Sequence, residues 1–221
     1  MERAYDVVSF DCYGTLIDWR TGISAAFASA AARNGRAFDR MQVLTAYAEI
    51  EPVLEAEAYR SYHDVLTETA RRVAERLGWP LSRADAAFLP ESLATWPPFP
   101  DTNPALERLA SAGYRLGILS NVDDDLLAAT RRHFTVTFDP IVTAQQVGSY
   151  KPAPGHFITA RQRLGGSRWL HAAQSYFHDV VPARALGIPV AWINRHHEAA
   201  PDGGRADREF GNLTDLAEWL C

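Results

Sequence analysis

Five short apolar runs, at residues 7–10 (VVSF), 115–119, 140–143, 169–173 and 190–193, each give way to turn or polar residues and then to a helical pattern. Continuous apolar strands alternating with helices mark a parallel sheet covered on both faces; a half-solvated strand would alternate apolar with polar residues instead. The expected fold class is α/β, a doubly wound parallel sheet. Helices are expected at 102–112, 124–134, 154–164, 181–186 and 213–220, and Gly113, Gly165 and Gly187 stand just past three of them, where a left-handed cap closes a helix.

Between the first and second runs lies a segment of another character, rich in Ala, Glu, Arg and Leu with little strand signal. Its stretch 59–77, YRSYHDVLTETARRVAERL, places Tyr62, Val65, Leu66, Ala70, Val73, Ala74 and Leu77 at helical spacing, an amphipathic helix. The chain is therefore expected to divide into an α/β core of 1–17 and 100–221 and a helical insertion of 18–99. The insertion closes on TWPPFPDTNP at 95–104, where Pro97, Pro98 and Pro100 stiffen the returning strand. The apolar residues Trp19, Ile50, Val53 and Leu54 are expected in packing, as pocket lining, or at an interface with a second copy of the chain in a homodimer. HHEAAPDGGRADREF, 196–210, reads as a polar surface loop with His196 and His197 solvated.

With 221 residues, 47% hydrophobic and 22% charged, the chain has ordinary globular composition and enough length for one substantial core. A net charge of −5 and the lack of a Lys/Arg cluster interleaved with aromatics argue against a nucleic-acid partner. Cys12 and Cys221 form neither a disulfide framework nor a metal-binding spacing, which fits a reducing, cytoplasmic setting. No apolar run reaches the roughly 18 residues a spanning helix needs, and no leader pattern opens the sequence, so neither membrane insertion nor secretion is expected.

In open parallel sheets, ligands gather at the carboxyl ends of the strands. The first run ends on Asp11, the second on Ser120 and Asn121, the third leads to Lys151, and the fourth runs into Gln174, Ser175 and Asp179. A carboxylate, a hydroxyl, an amide, an ammonium and a second carboxylate at one edge make a hydrolytic constellation. Asp11 could instead cap the following turn, though a cap does not need partners from three other strands. Asn121 with Asp123, Asp124 and Asp125 reads equally well as a helix start. Lys151 precedes Pro152, which holds its backbone extended and suits a side chain directed into a site.

FDCYGTL, ILSN, SYKPAP and HDVVPARALGIP, in this order, resemble the four motifs of the haloacid dehalogenase superfamily, and the insertion resembles that family's cap. The resemblance implies that Asp11 is the nucleophile, forming a covalent ester or acyl phosphate on a small-molecule substrate under the cap. It implies that Lys151 keeps this carboxylate ionised, that Thr15 and Ser120 donate hydroxyls, and that Asp179 orients or activates the hydrolytic water. Backbone N–H groups of the turn at Gly14 would cradle an anion. Cys12, Tyr13, Asn121, Ser175, Tyr176 and His178 take the substrate-binding positions, His178 either as a base or as a hydrogen-bonded histidine.

Phosphatases of this superfamily carry a second acid where this chain has Tyr13, and bind Mg²⁺ through an acid where it has Gln174, a poorer ligand for a hard cation. The pattern DxYGTL is similar to that of the L-2-haloacid dehalogenases, which use no cofactor. That group's halide-binding arginine falls on Ala46 here, with Arg40 and Arg60 as substitutes, and its tyrosine six residues past the motif lysine is Phe157. Its serine and asparagine before the last aspartate become Gln174 and Tyr176, and the aromatic next to that aspartate becomes His178. The alternatives are an Mg²⁺-dependent phosphatase and a catalytically degenerate binding protein.

Overall fold

The computed structural model describes residues 3–200 and 204–221, and the chain divides into two compact units. One comprises the chain up to Ile17, Pro98–Asn121 and His133–Cys221; the other comprises Asp18–Pro97 and Val122–Arg132.

The second unit is helical: α1 (Trp19–Arg33), α2 (Arg40–Glu55), α3 (Tyr62–Arg76), the short α4 (Arg83–Ala86) and α5 (Phe88–Ser92), and α7 (Asp124–Thr130). Each long helix begins on a side-chain cap that takes an otherwise unpaired N–H: Asp18 from Thr21, Asp39 from Met41 and Gln42, Ser61 from Asp64. Ser61 fixes the start of α3 at Tyr62, the residue at which the helical apolar spacing begins. Asp123 adds a second clasp to α3, its carboxylate accepting from the Tyr62 and His63 N–H groups at 3.0 and 2.9 Å. The apolar face of α3 buries Val65, Leu66, Ala70, Val73 and Ala74. Ile50 and Leu54 are buried as well, while Val53 is exposed.

Within α1, Gly22 makes room for Trp96. A Cβ built on Gly22 would lie 2.2 Å from the Trp96 ring, which is itself buried and anchored by its indole N–H on Ser92 Oγ at 2.9 Å. Helix propensity alone favours alanine here by up to about 1 kcal/mol. Gly22→Ala is nevertheless expected to destabilise the protein by about 1–3 kcal/mol, because a rigid indole cannot retreat from the new methyl; a urea melt with a higher midpoint than wild type would contradict this.

The first unit carries a sheet of six strands among the described residues: β1 (Val7–Phe10), β2 (Arg115–Ser120), β3 (Ile141–Thr143), β4 (Trp169–Ala173), β5 (Val190–Ile193) and β6 (Arg208–Phe210). Their order is β3-β2-β1-β4-β5-β6 and every neighbouring pair is parallel. The chain thus winds outward from β1 on one side and returns to build the other. A reversal of this kind is where open parallel sheets place their ligand crevice, at the carboxyl end of β1. Helices α6 (Thr102–Ser111), α8 (Ala144–Val147), α9 (Gly155–Leu164), α10 (Val181–Ala185) and α11 (Leu213–Leu220) complete the unit. One core gathers Val7, Leu119, Val142 and Trp169 from the strands with Phe157, Ala160 and Leu164 of α9 and Val180 and Ala183 at α10.

The stretch 196–210 is not wholly a loop. Arg208–Phe210 pairs parallel with β5, Arg208 opposite Ala191 and Phe210 opposite Ile193, as the outer strand of the sheet. An outer strand of three residues is held by its main chain, so its side chains need no apolar pattern, and periodicity over so short a span cannot reveal it. His196 and His197 are exposed, and residues 201–203 of this stretch lie outside the described residues. Helix α7 is also shorter than its pattern, ending at Thr130 before a 3₁₀ turn over Arg131–His133.

Candidate active site

β1 delivers Asp11 to the crevice, and the Asp11 N–H stays bound to Ala172 O of β4 at 3.1 Å, so the carboxylate leaves the sheet on a fixed main chain. The chain then turns at Gly14, whose φ of 97° belongs to the left-handed region and favours glycine. The Gly14 N–H is taken by Ile17 O at 2.8 Å, so it holds the turn together rather than facing a substrate. Arg195 braces the same turn: its guanidinium donates to Thr15 O at 2.8 Å and to both Asp101 oxygens at 3.1 Å, and lies 3.9 Å over the Phe99 ring.

Two groups hold the Asp11 carboxylate. Thr15 Oγ1 donates to Oδ2 at 3.0 Å and itself accepts from the Gln174 N–H at 2.9 Å, which directs its proton to Asp11. Lys151 Nζ donates to Oδ1 at 2.9 Å. The same ammonium donates to Asp179 Oδ1 at 2.7 Å and to Leu119 O at 3.0 Å, committing all three of its protons. Lys151 is only 2% exposed. Burial alone would depress its pKa, but the charges of Asp11 and Asp179 outweigh it, so it stays an ammonium.

One cation between two buried carboxylates cannot serve them equally. Burial pushes Asp11 above its usual value, the Lys151 charge opposes that, and the Asp179 charge adds to it. Burial pushes Asp179 up too, but there Lys151 and a hydrogen bond from His171 prevail and hold the carboxyl at about 2. Asp179 is therefore the firm anion of the pair and Asp11 the one whose charge is more readily given up.

The remaining positions separate into those facing the crevice chemistry and those holding it. Ser120 Oγ is buried at the end of β2 with no hydrogen-bond partner among the described residues, a donor placed without an acceptor. Asn121 spends its amide on the main chain of Lys151, accepting from its N–H at 2.7 Å and donating to its carbonyl at 3.1 Å, so it fixes the lysine. Ser175 Oγ accepts from the His178 N–H at 3.1 Å and lies 3.0 Å from its Nδ1, capping the turn that carries Asp179. The His178 pKa is lowered by burial and by Lys151, against the pull of Asp179. Tyr176 is buried in the core edge-on to Trp192, its hydroxyl accepting from Arg184 at 3.3 Å. Cys12 is buried beside Asp11, its thiol pKa pushed up by burial and then by that carboxylate, while Tyr13 is half-buried.

Two histidines outside the four motifs also meet these groups. His156 of α9 is fully buried and its Nε2 lies 3.1 Å from Ser120 O; burial and the Lys151 charge lower its pKa to about 3, so its ring is neutral and donates to that carbonyl. His171 stands in the middle of β4 with Nε2 2.9 Å from Asp179 Oδ1. The available signal was a histidine inside the otherwise apolar, fully buried run WLHAA.

In the helical unit, Ala46 is buried in α2, Arg60 pairs with Glu57, and Arg40 reaches Thr21 Oγ1 at 3.5 Å. Next to Ala46, Tyr47 and Tyr62 donate to Glu51 at 3.4 and 3.0 Å; burial raises Glu51 to about 7 against those bonds. Among the described residues no three His, Cys, Asp or Glu side chains are grouped to hold a metal, and no helix is long and apolar enough to cross a membrane.

A model of the family "Hydrolase: haloacid dehalogenase-like hydrolase" matches residues 5–173. The (S)-2-haloacid dehalogenase H-109 of Pseudomonas putida is 27% identical over 219 residues, covering 96% of this chain and 96% of that protein. The haloacetate dehalogenase H-2 of Moraxella sp. (strain B) is 25% identical over 219 residues, covering 97% and 93%. Among solved structures, a defluorinating L-2-haloacid dehalogenase superposes with a TM-score of 0.84 at 27% identity, over 98% of this chain and 95% of that one.

Proposed function

The chain belongs to the haloacid dehalogenase-like hydrolase family, and we propose that it is a 2-haloacid dehalogenase that works through an ester on Asp11. Asp11 attacks C2 of a small 2-haloacid; its oxygen bonds to C2 as the carbon–halogen bond breaks and halide leaves. Water then attacks the Asp11 carboxyl carbon, the ester opens, and a 2-hydroxy acid, halide and one proton are released while Asp11 keeps the oxygen of that water. The observation that carries this reading is the single ammonium of Lys151 shared by Asp11 and Asp179. It keeps the nucleophile ionised despite burial, and it leaves Asp179 to orient the water.

Halide needs no protonation to leave, which accords with a tyrosine at position 13 in place of a general acid. Gln174 likewise offers no anionic ligand, so the reading takes no cofactor and no Mg²⁺. It takes a small-molecule substrate in the cytoplasm, with the helical unit as the family's cap. The deciding assay follows halide release from a panel of 2-haloacids, and phosphate release from phosphate esters, each with and without EDTA. Halide release indifferent to EDTA supports the proposal; EDTA-sensitive phosphate release with no halide release replaces it with a phosphatase.

The attacking form of Asp11 is the carboxylate, and its pKa lies above the ordinary 3.8. Activity is therefore lost as pH falls through a raised value, so the acid limb of kcat/KM is expected above pH 3.8. A profile flat down to that pH contradicts the assignment.

A further inference from the structure

We propose that His171 is a positioning residue that fixes which oxygen of Asp179 faces the hydrolytic water. This rests on the covalent-ester reading of the same site.

Ser9 on β1 and His171 on β4 are register partners on adjacent strands, and Trp169 lies two residues before His171 on the same face. The Trp169 indole N–H, which can only donate, donates to Ser9 Oγ at 2.7 Å. The single Ser9 hydroxyl proton then has His171 Nδ1 as its acceptor, at 2.8 Å. With Nδ1 accepting, the ring proton sits on Nε2 and donates to Asp179 Oδ1 at 2.9 Å. The chain of donors thus has one direction, from Trp169 through Ser9 and His171 to Asp179. All three donors are buried, and the Phe157 ring meets the His171 ring edge-on at 5.2 Å between centroids, which keeps the imidazole from turning.

Lys151 donates to the same Asp179 Oδ1 at 2.7 Å. Both strong donors therefore converge on one oxygen, and Oδ2 is left buried with no partner among the described residues. A buried carboxylate oxygen without a donor is costly, and the group that relieves it must bring a proton of its own. Water poised for the ester does so. Lys151 alone would stabilise the charge equally well through either oxygen; the imidazole is what makes the two oxygens inequivalent.

His171→Leu is expected to slow ester hydrolysis by about 10- to 100-fold, the size of effect that outer partners of catalytic groups produce, while ester formation changes little. In rapid-quench mass spectrometry with (S)-2-chloropropionate, the adduct on Asp11 should then accumulate. His171→Gln, which can present an amide N–H near the Nε2 position, should restore most of the hydrolysis. An unchanged ratio of ester formation to hydrolysis in the leucine variant, or equal loss of both steps, overturns the proposal. The ring nitrogens of His171 in ¹⁵N-labelled wild-type protein give a reading that needs no substrate: protonated Nε2 with bare Nδ1 supports the proposal, and the reverse overturns it. Should wild-type protein form no adduct, the ester reading fails, and the nitrogen assignment still decides whether the imidazole holds Asp179.

Discussion

Asp11→Asn is expected to fold like wild type and to lose turnover by about 10⁴-fold or more, because a neutral amide cannot displace halide and nothing else at the crevice can take its place. Lys151 has all three protons committed and no lone pair to offer, and Asp179, fully buried and held through Oδ1 by two donors, is the weaker base of the two carboxylates and so the weaker nucleophile. The change is nearly isosteric: the amide oxygen can still accept from Lys151, and the amide N–H₂ falls where Oδ2 met Thr15, whose hydroxyl oxygen can accept in place of donating. Loss of activity should therefore come without a large loss of stability. Two measurements check this: halide release by the variant, and single turnover of wild type in H₂¹⁸O, where the label must appear in the peptide containing Asp11. Full activity of the variant, or label found only in the product, ends the proposal of an Asp11 ester.

Lys151→Met should remove both activity and a large part of the stability, and the second effect has a distinctive pH signature. In the wild type, the Asp179 carboxyl sits at about 2 against an ordinary 3.8, so its contribution to stability is present above pH 3.8 and is lost as pH falls through about 2. Without the ammonium, the two buried carboxylates keep only the hydrogen bonds of Thr15 and His171 against burial and each other's charge, so the Asp11 carboxyl rises further and the Asp179 carboxyl rises above its ordinary value. The sign then reverses: the variant is most stable where both are protonated and loses stability as pH rises. Breaking a buried ion pair from one side costs about 3–5 kcal/mol near neutral pH. Urea unfolding of both proteins at about pH 4.5 and about pH 8 tests this; a variant deficit that does not grow with pH would show that Lys151 does not compensate these charges. Turnover should fall by about 10³-fold, since Asp11 would be protonated at working pH.

The edge of the sheet was legible because strand ends announce themselves. VVSF stops at Asp11, RLGILS stops at Ser120, and the rule that ligands gather at carboxyl ends brings these residues together before any coordinates are known. Lys151 was readable from its motif alone, although what it touches was not. The roles within the set were less readable. Asn121 reads equally as a substrate contact or a cap, and it is the clamp on Lys151; Asp123 does stand at the start of its own helix, but its carboxylate closes the start of α3. Tyr176, whose position the resemblance assigned to substrate, packs in the core against Trp192. Side-chain direction decides each of these, and a sequence carries no direction for residues in turns.

By itself the sequence determined the class of fold and which polar groups end its strands, because strand burial, helical period and motif order are local properties written in adjacent residues. Only the tertiary structure decided the order of six strands, the outer strand of Arg208–Phe210, and the brace of Arg195 on the turn after Asp11. It alone decided the line from Trp169 through Ser9 and His171 to Asp179, in which Ser9 and His171 lie 162 residues apart in the chain and 2.8 Å apart in space. The physical reason is that hydrogen bonds and ion pairs between strands depend on register and on which face a side chain occupies, and register is set by the packing of the whole sheet.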